Sequence, residues 1–231
     1  MLPFDRTTAN AVISGPTFLF QGTSADYRFV LEVDRAPLQV EKAAWRVTDS
    51  TVALIDVRGH LRAINSGLTT VQATFQGLER SQPIRIVPDL AGDWEGPGQV
   101  TTCGGMTCDF RRCFNFLTAE SRRFVRLTIA QDKTELSGTI VNGVPLSGLT
   151  GISIPVTGRV GDSGSFALTG ETPTGPTSTL GITRSLIRST GATLVGAFSW
   201  RVVRLNPLQV GTCREDFTVD VEFSGLTRVG R

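Results

Sequence analysis

The four cysteines are the residues of this 231-residue chain whose type and spacing most clearly suggest chemistry. They are Cys103, Cys108, Cys113 and Cys213, so the first three are evenly spaced and the fourth follows a hundred residues later. Four thiols could form a zinc site, but such sites usually contain close pairs such as C-x2-C, which this set lacks. Two disulfides are therefore predicted, one local and one that ties the early segment to the last strand region. Four cysteines allow three pairings, and the sequence does not decide between them.

The segment Gly161-Asp162-Ser163-Gly164 is similar to the nucleophile segment of serine proteases. A nucleophilic serine needs a base within hydrogen-bond reach, normally a histidine. The single histidine, His60, lies in the other half of the chain. The segment is therefore predicted to form a hairpin turn between two strands. His60 follows Gly59 and is expected in an exposed turn, without cysteine or carboxylate partners for a metal.

Two pairs of carboxylates could serve glycoside cleavage, which requires two acids across a sugar bond. Asp93 and Glu95 flank Trp94, and Glu215 and Asp216 precede the last strand. No aromatic sugar platform accompanies them, so these acids are predicted to be solvated strand ends. Since no nucleophile stands beside a base and no cofactor fingerprint is present, the sequence predicts a protein that is not an enzyme and has neither cofactor nor metal.

Arginines and phenylalanines alternate around the cysteine segment. The candidate interface residues are Phe110, Arg111, Arg112, Phe114, Phe116, Arg122, Arg123 and Arg126. Interleaved arginines and aromatics suit a protein contact or nucleic-acid stacking, whereas the phenylalanines could instead plug a barrel. A net charge of only +2 disfavours nucleic acid. A protein contact is the favoured functional interpretation.

The composition favours an all-β protein. The chain has 25 Gly and 11 Pro, with 40% hydrophobic and 19% charged residues, which is typical of many short strands joined by turns. No run approaches the roughly 20 apolar residues of a membrane-spanning helix. The first residues also lack the basic and apolar segments of a signal peptide.

Alternating apolar residues in the first half predict seven short strands, at 17–21, 27–33, around Trp45, and at 52–56, 61–64, 69–75 and 83–87. Their inward-facing residues are expected to be Phe29, Leu31, Trp45, Val47, Val71, Ala73, Ile84 and Ile86. One register joins Trp45, Val52, Ala53, Gly59, Gly67, Val71 and Ala73. This pattern resembles the bacterial Ig-like group 2 domain. The resemblance implies an envelope or cell-surface β-sandwich that binds or spaces other proteins.

The second half shows longer alternating strands, of which Phe217 to Phe223 is the clearest. Seven or eight such strands in order predict an up-and-down barrel. This half resembles the lipocalin and avidin-like barrels in Gly92-x-Trp94, in the Leu136 to Ile140 segment and in Arg228 after the last strand. The resemblance implies that Arg228 covers the ring of Trp94 through a cation–π contact. Biotin binding is not implied, because the aromatic residues of that site are missing.

Three segments are predicted: an extended N-terminal arm at 1–15, an Ig-like sandwich at 16–88 and a disulfide-stapled barrel at 89–231. The short junction Pro88 to Ala91 implies a fixed angle between the two domains. The Ig-like resemblance also implies export to the periplasm or cell surface. The export signal is then expected upstream of this chain.

The favoured hypothesis is a non-catalytic exported bacterial protein that docks on other proteins. It could be an accessory subunit on the outer, periplasmic face of a membrane protein complex, or an adhesin-type module. Its contact would lie in the 110–126 loop, with no nucleic acid and no direct membrane span. The alternative is a carrier of a small apolar ligand inside the barrel, which requires a cavity lined by Phe166, Leu194, Phe198 and Trp200.

Overall fold

The computed structural model describes residues 10–33, 36–40, 42–106, 122–141, 151–206 and 213–230. Within these ranges all regular secondary structure is strand, which confirms the all-β prediction. The chain divides into two compact units, Met1–Asp89 and Leu90–Arg231. Each unit is considered by itself below.

The first unit contains ten described strands. These are β1 (Asn10–Ser14), β2 (Phe18–Phe20), β3 (Ser24–Asp26), β4 (Arg28–Val33), β5 (Ala36–Val40), β6 (Ala44–Val47), β7 (Ala53–Ile55), β8 (His60–Ala63), β9 (Gly67–Phe75) and β10 (Leu78–Val87). They form three sheets with the orders β1-β4-β5, β2-β10-β9-β6 and β3-β8-β7. All pairs are antiparallel except β2 with β10.

Residues 10–14 form a strand, although the sequence analysis assigned them to the N-terminal arm. Strand β1 pairs with β4 in the register Asn10↔Glu32 to Ser14↔Arg28. The outer edge of β1 accepts hydrogen bonds from side chains of β10. Nε of Arg80 donates to the Ala11 carbonyl oxygen (2.7 Å). Nε2 of Gln82 likewise donates to the Gly15 carbonyl (2.9 Å). These contacts are long-range, so local periodicity could not predict this strand.

Most apolar residues predicted to face inward are buried. Phe29, Leu31, Val71, Ala73, Ile84 and Ile86 are each at most 2% exposed. Trp45 and Val47 are only partly buried, because β6 is an edge strand of its sheet, and they pack against the core from its margin. The signature residues Val52 and Ala53 are buried in the same cluster as Val71.

The turn before β8 depends on Gly59. Its φ is +84°, and a Cβ added there would lie 2.4 Å from the Tyr27 carbonyl oxygen and 3.1 Å from the Trp45 ring. A side chain is therefore excluded both by the backbone conformation and by the space. The preceding Asp56 accepts bonds from the backbone N–H groups of Arg58 (2.8 Å) and His60 (3.0 Å). These hydrogen bonds hold the pKa of the Asp56 carboxyl below its usual range.

Asp49 stabilises the turn after β6. Its Oδ1 accepts hydrogen bonds from the Thr51 backbone N–H (2.9 Å) and the Thr51 hydroxyl (2.6 Å). These bonds favour the ionised form and lower the pKa of Asp49. The turn is thus stabilised by contacts between residues only two positions apart.

The second unit is a closed, up-and-down antiparallel barrel of eight strands, which confirms the predicted topology. Its strands are β11 (Gly92–Met106), β12 (Arg122–Asp132), β13 (Glu135–Val141), β14 (Ser153–Val160), β15 (Ser165–Gly175), β16 (Ser178–Ser189), β17 (Thr193–Asn206) and β18 (Cys213–Val229). Each strand pairs with the next along the chain, and β18 closes the ring on β11.

The two ends of the barrel differ in the length of their connections. At the end that we call the turn end, short turns join β12 to β13, β14 to β15 and β16 to β17, and the chain enters at Leu90. At the opposite end, the loop end, the connections span 107–121, 142–152 and 207–212, together with the short turn 176–177. Three of the cysteines in the sequence belong to or adjoin these connections: Cys108, Cys113 and Cys213. Long connections on a rigid framework are where binding residues are usually found.

Tyr27, the single tyrosine of the chain, provides a titration test of the first unit. It is 2% exposed, its hydroxyl donates to the Pro16 carbonyl (2.6 Å), and burial raises its pKa from 10.0 to about 12. Between these pH values the unfolded chain has lost the proton and the folded chain keeps it, so the free energy of unfolding should fall as the pH rises from about 10 to about 12. Tyrosinate absorbance should therefore show a midpoint near 12 in the folded protein and near 10 in urea. Equal midpoints would contradict the burial.

Substitution of Gly59 should destabilise the first unit more than substitution of Gly22. Both have φ +84°, but a Cβ at Gly22 meets nothing within 4 Å. Gly22→Ala should cost about 1–2 kcal/mol through the left-handed backbone alone. Gly59→Ala should cost roughly 1–3 kcal/mol more, because its new methyl group overpacks the turn. Urea denaturation, followed by hydrogen exchange of peptides from residues 10–89, measures the unfolding free energy of each variant. Equal losses of unfolding free energy in the two variants would contradict the prediction.

Candidate functional site

Cys103 is the cysteine whose surroundings are described most fully. It lies near the loop end on β11, opposite Val219 of β18. It is disulfide-bonded, and no described cysteine carries a free thiol. Cys108 and Cys113 lie outside the described residues, and of Cys213 only the backbone is described.

The predicted interface residues fall partly outside the described part of the chain. Those outside it are Phe110, Arg111, Arg112, Phe114 and Phe116, and the side chain of Arg122 is also not described. The other two arginines occupy opposite faces of β12, because side chains alternate along a strand. Arg123 lies on the inward face with Val125, while Arg126 is exposed and forms an ion pair with Glu95 on the neighbouring strand. The outward Phe124 between them is 57% exposed.

The acids before the last strand also divide between the two faces. Glu215 is fully buried and forms an ion pair with Arg204 of β17, whose side chain is 18% exposed. The prediction of a solvated strand end is therefore wrong for Glu215. The strand alternation turns this carboxylate inward, and a buried charge requires a partner of opposite charge. The loop end of the barrel interior thus contains charged side chains above an apolar core.

Asp216, the next residue, lies on the outer wall. Its two carboxylate oxygens accept hydrogen bonds from Nε (3.0 Å) and a terminal nitrogen (2.9 Å) of Arg201. The hydrogen-bonded guanidinium lowers the pKa of the Asp216 carboxyl, and the Asp216 carboxylate in turn raises the pKa of Arg201. At the turn end, the acids of the other pair also have partners, since Asp93 accepts a hydrogen bond from the Thr128 hydroxyl (2.6 Å) and Glu95 binds Arg126. The two acid pairs therefore lie at opposite ends of the barrel and engage neighbouring strands.

Two exposed apolar side chains at the loop end were missed by the sequence analysis. Met106 ends β11 and is 63% exposed, and Leu205 near the end of β17 is 42% exposed. Met106 lies opposite Asp216, and Leu205 lies opposite Arg214, so the two flank β18 on its outer face. The sequence does not predict this pair, because Met106 and Leu205 are about a hundred positions apart and only the closed sheet places both of their strands next to β18. We call Met106, Leu205 and the intervening Arg214 and Asp216 the rim patch.

Apolar side chains of the described strands are buried in the barrel interior. Phe166, Leu194, Phe198 and Trp200, the proposed cavity lining, are each at most 3% exposed. The Phe198 ring meets the Trp200 ring edge to face, with centroids 5.1 Å apart, and lies 5.8 Å from that of Phe223. A groove of about 680 Å³ lies instead on the outer wall, where Pro97, Gln99, Leu186, Ala197 and Glu222 are among its lining residues. This groove contains none of the four residues of the proposed lining.

Trp94 closes the turn end. It is buried, and its indole N–H donates to the Leu90 carbonyl (2.8 Å). The Leu90 backbone N–H donates in turn to the Gln131 side chain (2.7 Å). The guanidinium of Arg228 lies over the indole, 4.7 Å from its centroid, which confirms the predicted cation–π contact. This end is therefore sealed by the first residues of the unit and the last residues of β18.

The two motifs that resemble catalytic or metal-binding segments serve as turns. In residues 161–164 the Gly161 N–H donates to the Ser165 carbonyl (2.8 Å), and Gly164 has φ +74°, so the predicted hairpin turn is confirmed. The Ser163 hydroxyl contacts the Ser165 hydroxyl (2.7 Å). His60 is exposed as predicted, but it has a carboxylate neighbour that was not anticipated, because its Nδ1 lies 2.7 Å from Asp26 across the β3–β8 pair.

The described ranges contain no cluster of three or more His, Cys, Asp or Glu residues that could hold a metal ion. They also contain no helix of the length and apolarity needed to cross a membrane. The fold defines a protein with a closed eight-stranded barrel preceded by a unit of three small sheets. No protein-family model matches the sequence, and no curated protein is significantly similar to it.

The two neighbouring acids Glu215 and Asp216 give a matched test of the buried ion pair. Glu215→Ala leaves the Arg204 charge in the barrel without this partner and should cost about 3–5 kcal/mol of unfolding free energy. Asp216→Ala removes an exposed pair from the opposite face and should cost at most about 1 kcal/mol. Urea denaturation of the full chain, with hydrogen exchange of peptides from residues 90–230, measures both. Equal losses would contradict the assignment of Glu215 to the interior.

Proposed function

We propose that this protein is a non-catalytic, exported protein-interaction module that docks on a partner protein through the loop end of its barrel. The host role that fits best is an accessory subunit on the outer, periplasmic face of a membrane protein complex, and an adhesin-type module is the other possibility within this class. The observation that carries the proposal is the collection of long connections and exposed apolar side chains at one end of the barrel.

The rim patch has the composition of a protein contact. Met106 and Leu205 provide exposed apolar surface, and the Arg201–Asp216 ion pair stands beside them on the outer wall. Protein interfaces commonly combine an apolar centre with a polar margin, and Met and Arg are enriched in them. The predicted contact residues of the 110–126 loop join β11 directly after Met106, so they would extend the same surface.

Disulfides fit the proposed location. Exported proteins form them in an oxidising compartment, whereas cytosolic thiols are kept reduced. We propose that all four cysteines form disulfides and hold the 107–121 connection against the barrel. Each bond would contribute about 2–4 kcal/mol by restricting the unfolded chain.

In this proposal the first unit is an Ig-like spacer or dock. Its resemblance to the bacterial Ig-like group 2 domain supports this role and the export that accompanies it. Gly59 packs closely against the Trp45 ring, which explains why the signature has a glycine and a tryptophan at these two positions.

The burial of the predicted cavity lining favours protein docking over ligand transport. A carrier requires an internal cavity, whereas Phe198 packs against Trp200 and Phe223, and Phe166 and Leu194 are buried. The described charges also favour protein over nucleic acid, because Arg46, Arg126, Arg159, Arg201 and Arg204 are each paired with a carboxylate.

The double variant Met106→Ser, Leu205→Ser tests the proposal. Tagged full-length protein should be purified from native membranes, and the proteins that travel with it quantified. Truncation of these two apolar side chains should reduce the amount of bound partner at least tenfold. The residues that dominate a protein contact each cost more than about 1 kcal/mol of binding free energy when they are truncated.

Leu186→Ser is the control. Leu186 is 68% exposed on the wall of β16, nearer the turn end. Its replacement by serine should therefore leave the amount of recovered partner unchanged. Circular dichroism and thermal melting of each variant check that the fold is kept. Full recovery with the double variant, or an equal loss with the control, would contradict docking through the loop end.

A further inference from the structure

The register of the β11–β18 ladder restricts how the four cysteines can pair. Cys103 lies opposite Val219, and the ladder then continues through Gly104↔Thr218 and Gly105↔Phe217 to Met106↔Asp216. Cys213 begins β18, six residues before Val219 on the same continuous strand. Both positions belong to described backbone, so their separation follows from strand geometry.

That separation is too large for a disulfide. A strand advances about 3.3 Å per residue, so six residues place the Cα of Cys213 roughly 20 Å from the point opposite Cys103. A disulfide requires Cα atoms about 4.4–6.8 Å apart. A bond between Cys103 and Cys213 would require the last part of the ladder to break.

We infer that each disulfide joins one strand cysteine to one cysteine of the 107–121 connection. Cys213 bonds either Cys108 or Cys113, and Cys103 bonds the other. The excluded arrangement is the nested one, in which Cys103 bonds Cys213 and Cys108 bonds Cys113. This inference rests on the register together with the proposal, made above, that all four cysteines form disulfides.

Chain length permits the remaining pairings. Met106 is the partner of Asp216, and Cys108 follows Met106 by two residues, while Cys213 precedes Asp216 by three. Cys113 follows Met106 by seven residues, which can span about 23 Å when extended. Both cysteines of the connection are therefore within reach of Cys213.

The pairing has a structural consequence. With the nested arrangement, one bond would lie within the connection and the other would join β11 to β18, so neither would tie the connection to a strand. With the inferred arrangement, both bonds anchor it, one to β11 and one to the start of β18. Each bond forms by thiol–disulfide exchange, in which two cysteine thiols lose two protons and two electrons and the disulfide of an oxidoreductase is reduced to two thiols.

The sequence allows all four cysteines to be separated by two cleavages. Cyanogen bromide cuts after Met106, between Cys103 and Cys108, and trypsin cuts after Arg111 and Arg112, between Cys108 and Cys113. Unreduced protein, alkylated, cleaved with cyanogen bromide in strong acid and then with trypsin at slightly acidic pH, should yield fragments 86–106, 107–111, 113–122 and 205–214, which carry one cysteine each.

Mass spectrometry of the linked fragments decides the pairing. We expect fragment 205–214 to be joined to 107–111 or to 113–122, and fragment 86–106 to be joined to the other. A link between 86–106 and 205–214, or four alkylated thiols in the native protein, would overturn the inference. Cys213→Ser offers a second check, since it should free a thiol in the 107–121 connection and never at Cys103.

Discussion

The pairing of β18 with β11 is the interaction on which the second unit depends. It closes the ring, so each of the eight strands is hydrogen-bonded on both sides and no sheet edge is left open. Closure also fixes which side of every strand is inside. The close approach of neighbouring strands is visible at Gly138, where a Cβ would lie 1.9 Å from the Thr128 carbonyl oxygen. A larger residue there would push β13 away from β12 and open the ring.

The same closure limits what the protein can do. Phe198, Trp200 and Phe217 are buried in the barrel interior. A wall without free edges cannot accept an added strand from a partner. The turn end is sealed by Trp94 and the residues around it. The loop end combines three features: its connections are long, Glu215 and Arg204 face inward, and the rim patch faces outward.

Much of this fold could be predicted from the sequence because its strands alternate strictly. Phe217, Val219, Val221 and Phe223 are buried as the alternation predicted, and the up-and-down order follows from strands joined in sequence. The misses share one cause. Strand β1 depends on Arg80, and the burial of Glu215 depends on Arg204, so both depend on contacts between distant residues that local pattern does not encode. The rim patch was missed for the same reason, since only barrel closure brings Met106 and Leu205 to either side of β18. The Ig-like resemblance and the cysteine-loop contact remain predictions.

The claim that the loop end contacts a protein partner is tested most directly by site-specific photocrosslinking in the native host. A photoreactive amino acid at Met106 reports on the loop end, and the same group at Val229, which is 46% exposed near the turn end, reports on the opposite end. The account predicts that light produces a discrete crosslinked protein from position 106 and not from position 229. A crosslinked partner from position 229 alone, or none from position 106 in intact cells, would contradict it.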